Sequence, residues 1–457
     1  MTSDSLACVV LAAGKGTRMK SDRPKVLHPV AGRPMLAHVL AAAETLGPER
    51  RIVVAGPDMP DVAQAAPGWT TVVQADRLGT ADAVRAALGA LDGFSGTVMV
   101  ILGDVPLILP ETLRRLLDAR RAAGAAGPAP AVSVLGMRVA PPNAYGRLVA
   151  DAAGDLAAIV EAGEADAETL AIELCNSGLM AFDGARLGAL VGAIGSDNAK
   201  GEFYLTDAIA VAHARGWRCT VVEGPAAEVH GVNSRADLAA AEALMQERLR
   251  ATAMAGGATL IDPASVFLCA DTELGRDVTI EPNVVFGPGV RVGDGVEIRA
   301  FSHIEGATIG DGARIGPFAR LRPGATLGAH VHVGNFVEVK NATLADGAKA
   351  NHLTYLGDAD VGPRANIGAG TITCNYDGFF KHRTAIGAEA FIGSNTALVA
   401  PVRVGDRATT AAGSTITRDV ADDALAIERA RQESRDGWSA RFRAAMSARK
   451  AAARKNG

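Results

Sequence analysis

From about Ile261 to Val420 an aliphatic or small residue recurs at every sixth position, often followed by glycine. The beat is carried by Val292-Gly293, Ile309-Gly310, Ile315-Gly316, Val333-Gly334, Leu356-Gly357, Val361-Gly362 and Ile367-Gly368. It resumes after an interruption at Ile386-Gly387, Ile392-Gly393, Leu398, Val404-Gly405, Thr410 and Ile416. A six-residue period predicts a parallel β-helix, in which each short strand stacks on the same strand of the next coil. One aliphatic side chain per hexad points inwards and a small residue sits at each turn. Three hexads per coil give roughly eight or nine coils, well above the three repeats a solenoid needs.

The first half has a different rhythm. Short β-branched or aliphatic runs at Ala7–Leu11, Arg51–Ala55, Thr71–Gln74 and Thr97–Leu102 predict strands. Ala-, Leu- and Arg-rich patterns at Pro34–Leu46, Thr80–Leu91 and Glu111–Arg121 predict helices between them. Such alternation implies a doubly wound, mainly parallel, Rossmann-like sheet covered on both faces, with ligands at the carboxyl ends of its strands. Ser234-Arg-Ala-Asp237 resembles a capping box, and Leu238, Ala241, Met245 and Leu249 follow at helical spacing. That helix should end at Gly256-Gly257 and form a connecting arm of ~30 Å. The expected parts are an α/β domain over 1–235, an arm over 236–256 and a β-helix over 257–457. The Arg- and Ala-rich tail after Arg429 is expected to be only partly ordered.

Composition narrows the class. At 457 residues the chain exceeds what one core can hold, which is about 250–300 residues. Its 52 glycines and 4% aromatics suit a turn-rich solenoid, and a net charge of −4 points away from nucleic acid and anionic membrane. The five cysteines (Cys8, Cys175, Cys219, Cys269, Cys374) form no C-x-x-C and predict reduced cytosolic thiols. The apolar start lacks the charge order of a signal peptide, and the longest uncharged run, Ala122–Met137, is broken by Gly and Pro. A soluble cytoplasmic enzyme is the expectation.

Candidate chemistry starts at Leu11-Ala-Ala-Gly-Lys-Gly-Thr-Arg-Met19, just after the first strand. It is neither a Walker A motif nor a dinucleotide fingerprint, since Met19 fills the third glycine position. A glycine-rich turn with Lys15 and Arg18 can still wrap a triphosphate through backbone N–H groups and cations. Lys25, after Pro24, offers a further cation. Gln74-Ala-Asp-Arg-Leu-Gly-Thr80 has an amide and a glycine suited to reading a base edge. Asp104, past the strand Thr97–Leu102, is placed to hold Mg²⁺, normally bound by one or two carboxylates and substrate phosphates. Tight-turn roles for the glycine loop and for Asp104 compete with these readings.

In the second half the solenoid is interrupted between Asn351 and Asp377 by His-Leu-Thr-Tyr and Asn-Tyr-Asp-Gly. A coil that only stacks needs neither a histidine beside a tyrosine nor a loop leaving the repeat. His352 is a candidate base, because imidazole titrates near neutrality, with Tyr355, Asn366, Asn375 and Tyr376 around it. Cys374 reads as a packed structural thiol in preference to a nucleophile.

The glycine loop with Pro24-Lys25 and Gly103-Asp104 resembles the sugar-nucleotide pyrophosphorylases. Joined to these hexapeptide repeats, the whole chain apart from its tail resembles the bacterial bifunctional enzymes of UDP-N-acetylglucosamine synthesis. That family combines glucosamine-1-phosphate N-acetyltransferase with N-acetylglucosamine-1-phosphate uridylyltransferase and supplies peptidoglycan and lipopolysaccharide precursors. The resemblance implies a left-handed β-helix, a trimer that can pair into a dimer of trimers, and acetyltransferase sites shared by neighbouring chains. It implies UTP on Leu11, Ala12, Ala13, Gly14, Lys25, Leu102 and Gly103, with uracil read by Gln74, Gly79 and Thr80. Arg18 and Lys25 would neutralise charge in catalysis, and Asp104 and Asn233 would bind Mg²⁺. Gly146, Glu161 and Asn176 would contact N-acetylglucosamine-1-phosphate, with Asn233 beside them. For acetylation it implies Arg322, Lys340, Tyr355 and Asn366 on glucosamine-1-phosphate and His352 as base, oriented by Glu338. Ala369, Asn375, Tyr376, Ser394, Ala412 and Arg429 would line the acetyl-CoA site, with the Ala369 N–H as oxyanion donor. The sequence departs from the family at Leu102, where tyrosine is common, and at Ala162-Gly-Glu-Ala, where a Lys-Asp pair is common. Two alternatives stay open: a monofunctional pyrophosphorylase with a structural β-helix, and a scaffold subunit with a degenerate nucleotide site.

Overall fold

The structure is a computed structural model describing residues 5–122, 128–198 and 201–455. Its chain divides into one unit up to Ala255 that also includes Phe267–Thr272, and a second made of Gly256–Val266 and the residues from Glu273 onward.

The first unit is built on seven main strands: β1 (Leu6–Leu11), β2 (Arg50–Ala55), β3 (Thr70–Val73), β4 (Thr97–Leu102), β5 (Val132–Arg138), β6 (Leu174–Asp183) and β7 (Cys219–Glu223). Their order is β7-β5-β6-β4-β1-β2-β3. β1 pairs in parallel with both β2 and β4, while β6 runs antiparallel to β4 and β5. The sheet is therefore mixed: β3-β2-β1-β4 is parallel throughout, β5 and β7 pair in parallel at the other edge, and β6 runs against both groups. β1 and β4 are buried almost throughout, as strands covered on both faces must be. Order reverses beside β1, so the loops after β1 and β4 open one crevice at the strands' carboxyl ends. Residues 123–127 of the run Ala122–Met137, and Asp4, lie outside the described residues; Val132–Arg138 is a strand.

The helix Arg235–Ala255 starts where the sequence placed it. Leu238, Ala241, Met245 and Leu249 pack with Val30, Met35, Leu107 and Val232. Glu242 accepts the Ala31 N–H at 2.7 Å, and Arg248 donates to the Leu107 carbonyl at 3.0 Å. The expected arm is thus a packed element of the first unit along this face.

The second unit is a column of three parallel sheets with ten, eight and eight strands. This is the left-handed β-helix architecture of hexapeptide repeats, and the two N-terminal and C-terminal fold classes are as the sequence implies. Every hexad residue named above is buried, from Val292 to Ile416. Fully burying such a side chain stabilises by roughly 1.5–3 kcal/mol, so the inward columns hold the stack together. The corners are less simple than a small residue at each turn. Phe301, Phe318, Phe336 and Leu353 have φ of 61°, 57°, 57° and 50° at successive corners, a left-handed backbone that bulky residues seldom adopt. The three phenylalanines stack outside the column at 4.9 and 5.3 Å between ring centres. The tail also departs from expectation. Trp438–Lys455 is one helix, with Trp438 and Phe442 a turn apart and stacked at 5.0 Å. Its Ala, Arg and Lys content favours helix even where nothing packs on it.

Leu344 has no exposed surface and sits in one inward column. Leu344→Ala should lower the unfolding free energy of the β-helix by about 2–5 kcal/mol, as urea unfolding would measure. A loss under ~1 kcal/mol would mean that the column does not carry the stability.

Candidate functional site

In the first unit the crevice is a cavity of about 590 Å³, within the range of small-molecule sites. Leu11, Ala12, Ala13, Gly14, Lys25, Gln74, Gly79, Thr80, Leu102, Asp104, Glu161 and Asn176 line it. The strand ends bring these together from segments far apart in sequence. Within the glycine loop only Gly16 is sterically required: it has φ 63°, and a Cβ there would lie 2.5 Å from Lys25 Cβ. That contact lets the loop turn back over Lys25.

Lys25 joins the loop to the rest of the site. Its ammonium donates to the Asp104 carboxylate and, at 3.0 Å, to Oδ1 of Asn233. Asn233 is delivered by the backbone, because the Val232 N–H donates to the Asp104 carbonyl at 3.0 Å. Asp237 then caps the helix, accepting from the N–H groups of Asn233 at 3.0 Å and Ser234 at 2.8 Å. Ser234 Oγ accepts the Asp237 N–H at 3.2 Å, completing the capping box. Desolvation opposes the Asp237 carboxylate, but these hydrogen bonds outweigh it and hold its pKa below the usual range. Two hard oxygen donors thus converge on one cation-sized point, where the lysine ammonium now stands.

Gln74 is buried, and its amide NH₂ donates to the Gly79 carbonyl at 2.9 Å and to Asp82 at 2.7 Å. Gly79 has φ 116°, and a Cβ there would lie 2.5 Å from the Phe203 carbonyl oxygen, so only glycine fits. Thr80 accepts the Leu205 N–H at 2.9 Å, tying this loop to 203–205. On the opposite wall Glu161 meets Thr206 at 3.4 Å. Gly146 supports it from beneath, since a Cβ there would lie 3.4 Å from the Glu161 carboxylate. The Gly146 carbonyl accepts the Asn176 N–H at 2.8 Å, and Gly103 donates to the Leu11 carbonyl at 2.9 Å. Gly103 and Gly146 therefore shape the walls from behind. Arg18 is exposed on the turn Thr17–Met19 and is not among the lining residues.

In the β-helix, register decides what meets what. His352 pairs with Asn335 on the preceding coil, and Asn335 Oδ1 lies 2.8 Å from His352 Nδ1. With that oxygen as acceptor, Nδ1 carries the proton and Nε2 is left to accept one. Within one chain Glu338, expected to orient that ring, has other partners. It pairs with Arg322 at 2.8 Å and Arg320 at 3.9 Å, on the next sheet. Tyr355 follows Glu338 in register, and its ring lies over Gly357, where a Cβ would be 2.3 Å from the phenol oxygen. Gly357 is itself the partner of Lys340, so Arg322, Lys340 and Tyr355 share one face. Asn366 pairs with Lys349 and so sits at the opposite end of its strand pair from His352. One chain therefore spreads these candidates over two faces and the corner between them.

Ala369, Ser394 and Ala412 lie at one turn of three successive coils, linked by Asn395 N–H to Ala369 carbonyl at 2.7 Å and Gly413 N–H to Ser394 carbonyl at 2.8 Å. The excursion after Cys374 is a hairpin bridged at Tyr376 and Lys381. Asp377 closes it, accepting from Phe380 N–H at 2.7 Å, His382 Nε2 at 2.7 Å and Phe379 N–H at 2.8 Å. These bonds, the Phe380 N–H foremost, hold its carboxyl far below the usual range. Phe379 and Phe380 remain 86% and 70% exposed. Asn375 is buried by its amide's bond to Asp358, which also accepts from Asn341 at 2.5 Å. Arg429 is exposed beyond the last strand. Cys374 is half-buried and free, and burial pushes the Cys8 and Cys219 thiols up to about 12.

Residues 8–171 match the model of MobA-like NTP transferase domains. Residues 271–306 and 306–341 match bacterial transferase hexapeptide repeats, and 383–418 the hexapeptide repeat of succinyl-transferases. The chain is 61% identical over 440 residues to the bifunctional protein GlmU of Rhodospirillum rubrum, covering 96% of this chain and 98% of that protein. It is 55% identical over 456 residues to that of Sphingopyxis alaskensis, covering 99% and 100%. The chain belongs to the GlmU family. Both alternatives left open by the sequence, the monofunctional enzyme and the degenerate scaffold, give way to this full-length likeness.

Within that family frame, four contributors were missed from the sequence. Asp82 and Asn335 belong to the constellations just described, and Arg77 and Tyr204 line the cavity. Arg77 also donates to the Ala13 carbonyl at 2.8 Å and pairs with Asp58. Only Asn335 carried a usable signal, since it lies one coil before His352.

Asp237→Ala should cost about 1 kcal/mol in unfolding free energy, the usual worth of a helix cap. Its lowered pKa makes this contribution full above the ordinary carboxylate pKa and lost as pH falls through the folded value. Urea unfolding at pH 7 reads the loss, and unchanged stability would contradict the capping role.

Proposed function

We propose that the first unit transfers UMP from UTP to N-acetylglucosamine-1-phosphate, releasing pyrophosphate. In the same reading the β-helix first makes that acceptor, acetylating glucosamine-1-phosphate with acetyl-CoA in the cytoplasm for peptidoglycan and lipopolysaccharide synthesis. The observation that carries the first activity is the Lys25 ammonium held between Asp104 and Asn233 in the cavity wall. Family membership supports the pairing of activities, and among the described residues no helix is long and apolar enough to cross a membrane.

Asp104 and Asn233 suit Mg²⁺, which takes few protein oxygens and completes its shell with water and phosphate. Among the described residues no group of three or more His, Cys, Asp or Glu could cage a metal alone, so such a substrate-completed site is the fitting type. Bound there, Mg²⁺ would neutralise phosphate charge and orient the leaving pyrophosphate. Lys25 is then free to pair with the α-phosphate, while the backbone N–H groups of Ala13 and Gly14 cradle the others. Glu161 and Asn176 hold the sugar so that its phosphate oxygen attacks the α-phosphorus in line. Gln74 Oε1 and the Gly79 N–H read uracil.

For acetylation, His352 Nε2 takes the proton of the glucosamine ammonium, and Asn335 fixes the ring from the other nitrogen. Arg322, Lys340, Tyr355 and Asn366 hold the sugar phosphate, and the Ala369 N–H faces the thioester oxyanion. Ala369, Asn375, Tyr376, Ser394, Ala412 and Arg429 form the acetyl-CoA wall. Because one chain spreads these groups over two faces, we assign the complete site to a trimer. The exposed column Phe301, Phe318, Phe336 and Leu353 and the exposed pair Phe379 and Phe380 support burial against neighbouring copies.

Asp104→Ala should abolish UDP-sugar formation and leave acetylation near normal. His352→Ala should reduce acetylation by ~10²–10⁴-fold with uridylyl transfer from supplied N-acetylglucosamine-1-phosphate unchanged. If both rates fell together in either folded variant, the two-site reading would fail. Sedimentation of the intact chain should give a trimer, weakened by Phe318→Glu. A fully active monomer would rule the shared site out.

A further inference from the structure

We infer that Asp82 is the positioning residue that sets nucleobase selectivity, by locking the side-chain amide of Gln74 in one of its two orientations. The inference rests on the uridylyltransferase reading and deepens it. An amide can present either its oxygen or its NH₂ to a ligand, and the two faces suit opposite bases. In this cavity the choice is made by the neighbours. The Gly79 carbonyl, at 2.9 Å, and the Asp82 carboxylate, at 2.7 Å, both lie on one side of the Gln74 amide, and both are acceptors. Only the NH₂ can face them. The same Asp82 oxygen accepts the Leu78 N–H at 3.2 Å, which holds the carboxylate in place. Asp82 also lies in the first turn of the helix Thr80–Ala87, where a negative charge is favoured.

With its NH₂ occupied, Gln74 presents Oε1 to the cavity, and among the described residues no protein donor reaches that oxygen. The Gly79 N–H likewise meets no acceptor among them. The pair offers one acceptor and one donor. Uracil matches it, with N3–H donating to Oε1 and the C4 carbonyl accepting from Gly79. Cytosine opposes it twice, through an unprotonated N3 and an amino group at C4. Turning the amide over would remove the mismatch at cytosine N3 but would set Oε1 against a carbonyl oxygen and a carboxylate at hydrogen-bond distance. Asp82 supplies the charged half of that penalty without touching the base.

The test is the ratio of kcat/KM for UTP to that for CTP, with N-acetylglucosamine-1-phosphate and Mg²⁺, in the full-length chain. Asp82→Ala should lower this ratio at least about tenfold, the effect of one hydrogen bond to a charged group. Asp82→Asn, whose amide oxygen can accept from both Gln74 and Leu78, should keep it within about threefold. A merely structural role would depress both nucleotides equally, so an unchanged ratio in Asp82→Ala overturns the inference, whatever the absolute rates. Loss of selectivity in both variants alike overturns it too, since the acceptor would not be what matters. A wild-type chain that uses UTP and CTP equally would overturn the amide lock while leaving nucleotidyl transfer standing. A wild-type chain that uses neither would remove the uridylyltransferase reading itself.

Discussion

The nucleotide site depends on one ammonium group. Lys25 reaches Asp104 and Asn233, 79 and 208 residues away in sequence, and all three sit at the carboxyl edge of a single sheet. Two carboxyl-edge loops and the start of the helix Arg235–Ala255 are fixed by that convergence. Without a cation there, a half-buried carboxylate would face the crevice unpaired, a costly state for a charge removed from water. The pairing satisfies the ammonium and the carboxylate together, and in the function proposed above the same oxygens would hold magnesium–triphosphate. Fold stability and readiness for substrate come from the same contact.

The β-helix obeys a different constraint. Its inward columns demand that each coil repeat the phase of the last, so a residue's neighbours are those one coil away. His352 lies on Asn335 and Tyr355 follows Glu338 for that reason alone. Outward positions are released from packing, and chemistry accumulates there at little cost to the stack. The same phase spreads the polar groups around the column.

Much of this was legible in the sequence, because the period that signals a hexad is the period that buries it. Val292, Ile315, Leu356 and Ile392 are all inside the column. The strands preceding Leu11 and Asp104 were legible for a similar reason, since apolar runs ending in glycine loops put ligands at strand ends. What sequence did not yield was lateral pairing. Glu338 was expected beside His352, yet register hands it to Arg322 and gives the histidine to Asn335. Asp82 carried no signal in the sequence, since its contact with Gln74 exists only once the loop closes on Phe203. Arg18 lies in a glycine loop that suits phosphate but is turned to solvent on its own short helix. The tail helix was missed because its described side chains are all exposed, leaving no hydrophobic period to read.

Two chemistries thus share one chain and one intermediate. A single incubation of the full-length protein with glucosamine-1-phosphate, acetyl-CoA, UTP and Mg²⁺, followed by mass spectrometry over time, tests that pairing most directly. N-acetylglucosamine-1-phosphate should appear first, then UDP-N-acetylglucosamine with pyrophosphate, and free coenzyme A should rise with the acetylated sugar. A chain that converts supplied N-acetylglucosamine-1-phosphate but never acetylates glucosamine-1-phosphate would contradict it, leaving the β-helix a scaffold.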